Sequence, residues 1–504
     1  MGDFVSQATI DAGLTLVPDA LGHDQTALAI LQKTVFLEPG SVIAVQGSWG
    51  RGKTDVLMRI AALIRDPAKA AIPEGLIADA LWINPWQYGT PDLLTPLVLS
   101  ILERIPEEPK RNDKRLRKIA EALLRAGINF GMKAAAHSVP ILGIAADGVD
   151  KVIAGLFEAA GVKSEPVEKP DADPVAAMGE RFRELAQTLL DLKQKQPGAR
   201  LIVCVDDLDR CLPDRQVALL EAIRFLISAG APVTFLIALD PTLARQAIVT
   251  HYRTDAFDPD RYLDKMFELR VNLPSLGDRV GDLVRHHMDR EVKALGATMK
   301  IGAAMESLFG GQARKRFEEA GRKVFSIAEL SNPRIVRRIF DRLYLLAVAR
   351  STAKDRPLSY ANEWEFRTVL MWIGVIEKFP QVRAALQMQG NFPAMFSAFR
   401  KAYLFEKTGA SMSSTSTPPV GLPRVSSVAP PSISRSTPLS SRSDVGEELD
   451  FEEQERAQHE RLLALYGLPA MSASPGLALL FEQCMDKSDQ VAFELDEALR
   501  RAGL

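Results

Sequence analysis

Eight consecutive residues, Gly47, Ser48, Trp49, Gly50, Arg51, Gly52, Lys53 and Thr54, match the pattern G-x-x-x-x-G-K-[ST] in full, and each type answers a need of a phosphate chain. Glycines at 47, 50 and 52 let the backbone curl close enough for successive N–H groups to point inward as an anion nest. Lys53 supplies a point charge for β- and γ-phosphates, and Thr54 offers a hydroxyl to a divalent cation. A helix starting near Lys53 would turn its positive end toward the same anion. These residues ask for a nucleoside triphosphate, with ATP and Mg2+ as the expected ligands.

A second group of chemical residues follows an apolar run. Residues 201–205 read Leu-Ile-Val-Cys-Val and lead straight into Asp206, Asp207, Leu208, Asp209 and Arg210. Acids delivered at the C-terminal edge of a strand stand where α/β sheets bind ligands. Asp206 is the candidate for holding Mg2+ together with Thr54, and Asp207 for orienting and deprotonating an attacking water. Three carboxylates within four residues repel one another, which argues for a cation nearby. Asp209 could equally cap the next helix, and Arg210 either stabilises phosphate charge or pairs with its acidic neighbours. Asp240 ends another apolar run, where it could sense a γ-phosphate or open a helix through an Asp-Pro turn. Arg334, in the run Asn332-Pro333-Arg334 at an expected helix start, could reach the nucleotide or belong to a partner-binding basic face.

Such groups need a rigid frame. Residues 41–273 alternate short β-branched runs with longer helical patterns, the mark of a parallel sheet flanked by helices. Five strands are expected at 42–46, 81–84, 201–205, 233–239 and 267–271, the apolar ones buried on both faces. Both the phosphate pattern and the acidic burst then fall at strand ends. Beyond residue 276 the strand rhythm stops, and 280–295, 334–348 and 362–377 show helical spacing with charged outer faces. The expected organisation is an N-terminal segment at 1–20, an α/β P-loop NTPase domain at 21–275 with a helical insert at 106–172, and an α-helical domain at 276–408. A Ser/Pro-rich linker at 409–446 cannot bury enough surface to order itself, and a helical segment occupies 447–504.

Composition narrows the function classes. The 504 residues carry 62 Lys plus Arg against 64 Asp plus Glu, a net charge of -2, so no whole-molecule field gathers nucleic acid or anionic membrane. A local patch could still do so, since residues 110–125 include Lys110, Arg111, Lys114, Arg115, Arg117, Lys118 and Arg125, although a solvated helix face would look the same. The three cysteines, Cys204, Cys211 and Cys484, are too few and too scattered for a disulfide framework or a four-ligand zinc site, which fits a reducing cytoplasm. The N-terminal residues show no signal-peptide pattern. The apolar stretch 127–157 is interrupted by Lys133, Asp147, Asp150 and Lys151, too short for a membrane span and better read as a helical hairpin, either buried or lying on a membrane surface.

With these residues in place the chain resembles the KAP family of P-loop NTPases. The resemblance rests on residues 47–54 with their tryptophan, on Asn84-Pro85-Trp86-Gln87-Tyr88, and on the run from Val205 to Cys211 that carries the acids. Tyr262-Leu263-Asp264-Lys265-Met266-Phe267, Leu273-Pro274 and Asn332-Pro333-Arg334 extend it, over roughly residues 21–345. It implies an additional-strand fold, with the fourth strand between those bearing the phosphate loop and the acids, so that Asp240 faces the γ-phosphate. It also implies ATP hydrolysis coupled to conformational change, and similarity to anti-phage defence components. Many members carry transmembrane helices between the two nucleotide motifs; the insert here departs from that.

The leading expectation is an ATPase that passes a conformational change to protein partners, encoded nearby or a second copy of itself, or to nucleic acid. The alternative is a scaffold that holds nucleotide as a slow switch, and a small-molecule kinase stands behind both because no lid or second pocket is legible.

Overall fold

The computed structural model describes residues 7–12, 18–73, 75–87, 94–106, 113–135, 178–253, 257–274, 276–295, 311–352, 363–389, 457–469 and 474–479, with a few isolated positions. The hairpin expected around 127–157 beyond residue 135, the linker at 409–446, most of the 447–504 segment and Tyr88 lie outside the described residues. The chain divides into two compact units, Met1–Pro274 and Ser275–Leu504.

The first unit is built on five parallel strands in the order β2-β3-β4-β1-β5. They are β1 (Val42–Gln46), β2 (Ile77–Ile83), β3 (Arg200–Val205), β4 (Val233–Leu239) and β5 (Leu269–Asn272). Strands β1, β3 and β4 are buried along their whole length, as runs of Val, Ile, Leu and Phe dictate when helices cover both faces of a sheet. Strand β4 pairs with β1 on one side, Val45 opposite Ala238, and with β3 on the other, Val205 opposite Ile237. It therefore separates the strand that leads into the phosphate pattern from the strand that leads into the acids.

Among the described residues the longer helices of this unit are α1 (Gln7–Ala12), α2 (His23–Phe36), α3 (Lys53–Arg65), α4 (Leu94–Glu103), α5 (Lys114–Ala135), α6 (Met178–Leu192), α7 (Pro213–Ile227), α8 (Pro241–Tyr252) and α9 (Pro259–Met266), with a single helical turn at Pro67–Ala70. Alternation along the strands splits the core in two. Val203, Val205, Phe235 and Ile237 pack with Leu97, Leu123, Phe182 and Leu220 from α4 to α7, whereas Ile43, Val45, Cys204 and Leu236 pack with Leu31, Val56, Leu57 and Ile60 from α2 and α3. Arg200, buried at the start of β3, donates to the carbonyls of Thr34 and Leu37 at 2.8 and 2.7 Å, satisfying the C-terminal end of α2.

Two strand boundaries differ from the sequence reading. Strand β2 starts four residues early because Asp79, which interrupts the apolar run, is paired with Lys193 and Arg104 at the sheet's margin. Phe267 instead closes α9, and β5 begins at Leu269 with alternating half-buried and exposed residues, the pattern of an edge strand. On the opposite edge Gln7 of α1 lies along β2: Trp82 N–H donates to Gln7 Oε1 at 2.7 Å and Gln7 Nε2 donates to the Ala80 carbonyl at 3.5 Å.

Within the second unit the described elements are helical: α10 (Val280–Leu295), α11 (Gly311–Phe325), α12 (Pro333–Thr352), α13 (Glu363–Lys378) and α14 (Pro380–Gln389). Helix α11 had no counterpart in the sequence reading, its charged residues and internal glycine hiding the apolar face. That glycine, Gly321, lets α11 pack closely on α10, since a Cβ there would stand 3.0 Å from Val284 and the valine would have to give. Phe317 of α11 meets Phe340 and Phe366 edge-on at 5.5 and 5.3 Å between ring centroids, the favoured aromatic geometry in this core. No helix among the described residues is long and apolar enough to cross a membrane.

Candidate functional site

The loop between β1 and α3 turns on two glycines in left-handed conformation, Gly50 at φ 86° and Gly52 at φ 93°. Gly47 N–H donates to the Leu239 carbonyl at 3.1 Å and Arg51 N–H to the Ser48 carbonyl at 3.2 Å, so the loop is anchored to the end of β4 and folded on itself. Helix α3 begins at Lys53, its unsatisfied first N–H groups facing the loop's concave side.

A buried histidine backs this loop. A Cβ at Gly52 would lie 2.2 Å from His23 Cε1, so only glycine fits. His23 Nδ1 is 2.7 Å from Asp55 Oδ2, which also accepts from Arg59 Nε at 2.9 Å, and Arg59 reaches Asp24 at 2.5 Å. Burial works against charge on Asp55, but the bonds from His23 and Arg59 prevail and hold its carboxyl below the usual range. Asp19 accepts from the backbone N–H groups of Leu21, His23 and Asp24 and fixes the entry to α2. The i,i+4 spacing of Asp55 and Arg59 within α3 is legible in the sequence, but the contribution of His23 is not, because it reaches Asp55 from another helix.

The acids after β3 meet the loop. Thr54 Oγ1 donates to Asp206 Oδ1 at 3.2 Å, and Lys53 Nζ donates to Asp209 Oδ2 at 3.0 Å and to the Gly47 carbonyl at 2.9 Å. Arg210 Nε pairs with Asp207 Oδ1 at 2.9 Å. The protein's own cations pair with Asp207 and Asp209, so the case for a cation nearby rests on Asp206. Among the described residues Asp206 is the one of the three with no cationic partner. Its carboxyl is pushed up to about 6, first by burial and then by the charge of Asp207. Asp207 is likewise raised by burial, against the opposing charge of Arg210. Its backbone takes the left-handed conformation, φ 57° and ψ 28°, a modest strain that Asp tolerates better than most residues.

Other sequence candidates fall as follows. Asp209 does not cap the next helix; it pairs with Lys53, as above. Asp240 is buried at the end of β4 and accepts from Thr242 N–H at 3.0 Å, capping α8. Arg334 belongs to the second unit, in the first turn of α12, where its N–H is capped by Asn332 Oδ1 at 2.9 Å. Ser48 and Trp49 are exposed in the loop. Cys204 is a buried free thiol of the core, and Cys211, also buried and free, is pushed up to about 11 by burial. In the basic stretch, Arg115 approaches Glu184 at 3.5 Å and Arg125 pairs with Glu121 at 2.9 Å, so part of that charge is spent within the unit.

Two further features bear on a ligand. Arg51 Nη1 and Gln46 Nε2 are buried with no hydrogen-bond partner among the described residues, and burial pulls the Arg51 guanidinium below its ordinary range. Unsatisfied donors beside an anion nest suit an acceptor-rich ligand such as a triphosphate. No group of three His, Cys, Asp or Glu side chains among the described residues converges to hold a metal unaided. A magnesium ion fits Thr54 and Asp206 only as a partner of phosphate, since this ion keeps few protein ligands and takes the rest from water and substrate.

A model of the KAP family P-loop domain matches residues 25–349. The phage T7 exclusion protein of Escherichia coli (strain K12) is 25% identical over 281 residues, a match covering 53% of this chain and 35% of that protein. The chain therefore spans about a third of the length of the curated relative it matches. Among solved structures, the Aeropyrum pernix ORC2 protein in its ADPNP-ADP complexes aligns with 95% of this chain and 98% of its own, at 11% identity and a TM-score of 0.33.

Proposed function

Because this chain belongs to the KAP family of P-loop NTPases, we propose that it binds and hydrolyses ATP with Mg2+ and passes the resulting conformational change to a protein partner. The observation that carries this reading is the 3.2 Å approach of the Thr54 hydroxyl to the buried Asp206 carboxylate. That contact joins the ends of β1 and β3 across β4, and it brings together the two side chains that a magnesium-bound triphosphate needs.

In this reading the amides of residues 47–54 and Lys53 bind the β- and γ-phosphates, and Thr54 with Asp206 would hold the ion. Magnesium, when bound, supplies charge neutralisation on the phosphate oxygens. Asp207 accepts a proton from the water whose oxygen attacks the γ-phosphorus, while the bond from that phosphorus to the β,γ-bridging oxygen breaks and ADP leaves. Thr54 and Asp206 must relax their direct hydrogen bond so that both oxygens can serve the ion, and Lys53 must turn from Asp209 toward phosphate.

Phosphate release by the purified protein with magnesium and ATP tests the reading. Asp207→Asn is expected to lower turnover at least about 100-fold with ATP affinity nearly intact, whereas Lys53→Ala weakens binding as well. Unaltered release in Asp207→Asn removes the role given to that carboxylate, and a wild-type protein that binds ATP without releasing phosphate removes the enzyme.

A second reading, a nucleotide-switched scaffold with slow or no turnover, is favoured by one observation: both Lys53 and Asp207 are engaged by side chains of the same acidic turn. Similarity to the phage T7 exclusion protein of Escherichia coli supports a role against phage; the reading adds a cytoplasmic setting and partners encoded nearby or a second copy of the chain. Plaque counts on a host expressing wild-type or Lys53→Ala protein check this; equal counts against a panel of phages would remove it.

A further inference from the structure

Arg210 has aromatic company on top of its ion pair. Its guanidinium carbon lies 5.6 Å from the Trp49 ring centroid and 5.4 Å from that of Trp86, both within cation–π range. The same guanidinium bonds Asp207 at 2.9 Å. These partners come from three strand ends: Trp49 from the phosphate loop after β1, Trp86 from the 3₁₀ turn Pro85–Gln87 after β2, and Asp207 from the turn after β3. A planar guanidinium can offer its face to a ring and its edge to a carboxylate at once, which an ammonium cannot. Trp49 is 47% exposed. An indole so placed loses little water by contact with Arg210, and its position can follow the loop.

We propose that Trp86 and Trp49 are positioning residues that hold Arg210 against Asp207, so that the aim of the Asp207 carboxylate follows the state of the phosphate loop. The inference rests on the ATPase reading and deepens it by naming what sets the water-activating group. Loop, guanidinium and acid form one clasp. A shift of Trp49 on nucleotide entry is transmitted through Arg210, whereas Trp86 provides the fixed wall.

Two measurements test the clasp. In steady-state turnover Trp86→Leu is expected to lower kcat about tenfold with KM changed less than about twofold. Trp86→Phe, which keeps a ring face, recovers most of that loss, and adding Arg210→Gln to Trp86→Leu brings no further loss. Equal losses in the Leu and Phe variants, or losses that multiply in the double variant, mark simple packing and overturn the proposal. The second measurement does not require turnover. In a Trp49→Phe protein, which keeps Trp82, Trp86, Trp364 and Trp372, ATP with magnesium is expected to change tryptophan emission; a further Trp86→Phe removes that change and so assigns it to Trp86, and adding Arg210→Gln instead abolishes it while calorimetry still records binding. Emission that is silent in Trp49→Phe, or indifferent to Arg210→Gln, overturns the clasp. Wild-type protein that binds ATP and releases no phosphate refutes the ATPase reading instead, and the emission result then decides the clasp alone.

Discussion

Asp209 Oδ2 lies 3.0 Å from Lys53 Nζ, with both side chains less than a tenth exposed. The lysine of the phosphate loop is therefore neutralised by an acid from the turn after β3, and an incoming triphosphate competes with that acid. Asp209→Asn removes the competitor and leaves Lys53 with the Gly47 carbonyl and a neutral amide. Because breaking a buried pair leaves an uncompensated charge, the variant without nucleotide should lose about 1–3 kcal/mol of stability. Saturating ATP restores negative charge beside Lys53, so the rise in thermal midpoint on adding ATP should be larger in Asp209→Asn than in the parent. Scanning calorimetry with and without ATP checks this; equal rises would show that Asp209 does not compete.

Asp206 makes a pH-dependent prediction. Its carboxyl is pushed up to about 6 in the folded protein, whereas the unfolded chain titrates near the ordinary value of about 3.9. Between those values the folded state holds a proton that the unfolded state lacks, so this group's contribution falls as pH rises through the window, and above about 6 the cost of the buried charge stands in full. Asp206→Asn is expected to stabilise the nucleotide-free protein by about 1–3 kcal/mol at pH 7.5 in EDTA, the gain shrinking toward pH 5. Urea titrations at the two pH values measure it. A gain that grows on acidification would contradict the assigned cause.

Gly52 and His23 form a lock that two substitutions can take apart. Gly52→Ala drives a Cβ into the His23 ring and forces φ 93° on a residue with a side chain, a loss of about 2–4 kcal/mol. Measured against His23→Ala, which carries its own loss of the bond to Asp55, adding Gly52→Ala should cost only the backbone part, about 1–2 kcal/mol. Denaturant midpoints of the single and double variants decide; a double variant as stable as His23→Ala would mean that backbone conformation contributes nothing.

For Asp240 the cap and the phosphate sensor can be separated. Asparagine caps a helix about as well as aspartate, so Asp240→Asn should leave the thermal midpoint nearly unchanged, while Asp240→Ala costs about 1 kcal/mol. A sensor role requires that Asp240→Asn slow phosphate release several-fold despite intact stability. Turnover equal to the parent would leave the residue as a cap alone.

Much of the frame was legible because the physics that makes it is local. Strands 42–46 and 233–239 are runs of buried aliphatic residues with polar ends, and the structure keeps both boundaries. The meeting of Thr54 with Asp206 follows from strand order, which adjacency in sequence does not reveal and which entered through family resemblance. Less was visible where tertiary contacts decide. Asp79 hid the start of β2 because its cationic partners lie far along the chain, and α11 hid behind a glycine that only the packing against Val284 explains. His23 carries no motif at all; its importance comes from the ring that fills the space under Gly52. The pairings of Asp207 and Asp209 were open alternatives in the sequence, since short acidic runs have several cations within reach.

The amide of Gln7 beside β2 does for the sheet what a neighbouring peptide group would do. One side chain accepts from Trp82 and donates to Ala80, so the outermost strand presents a terminated seam instead of a template. Loss of that amide would leave an open register on which an extended segment of another molecule could add, turning a closed margin into a site of strand-by-strand accretion.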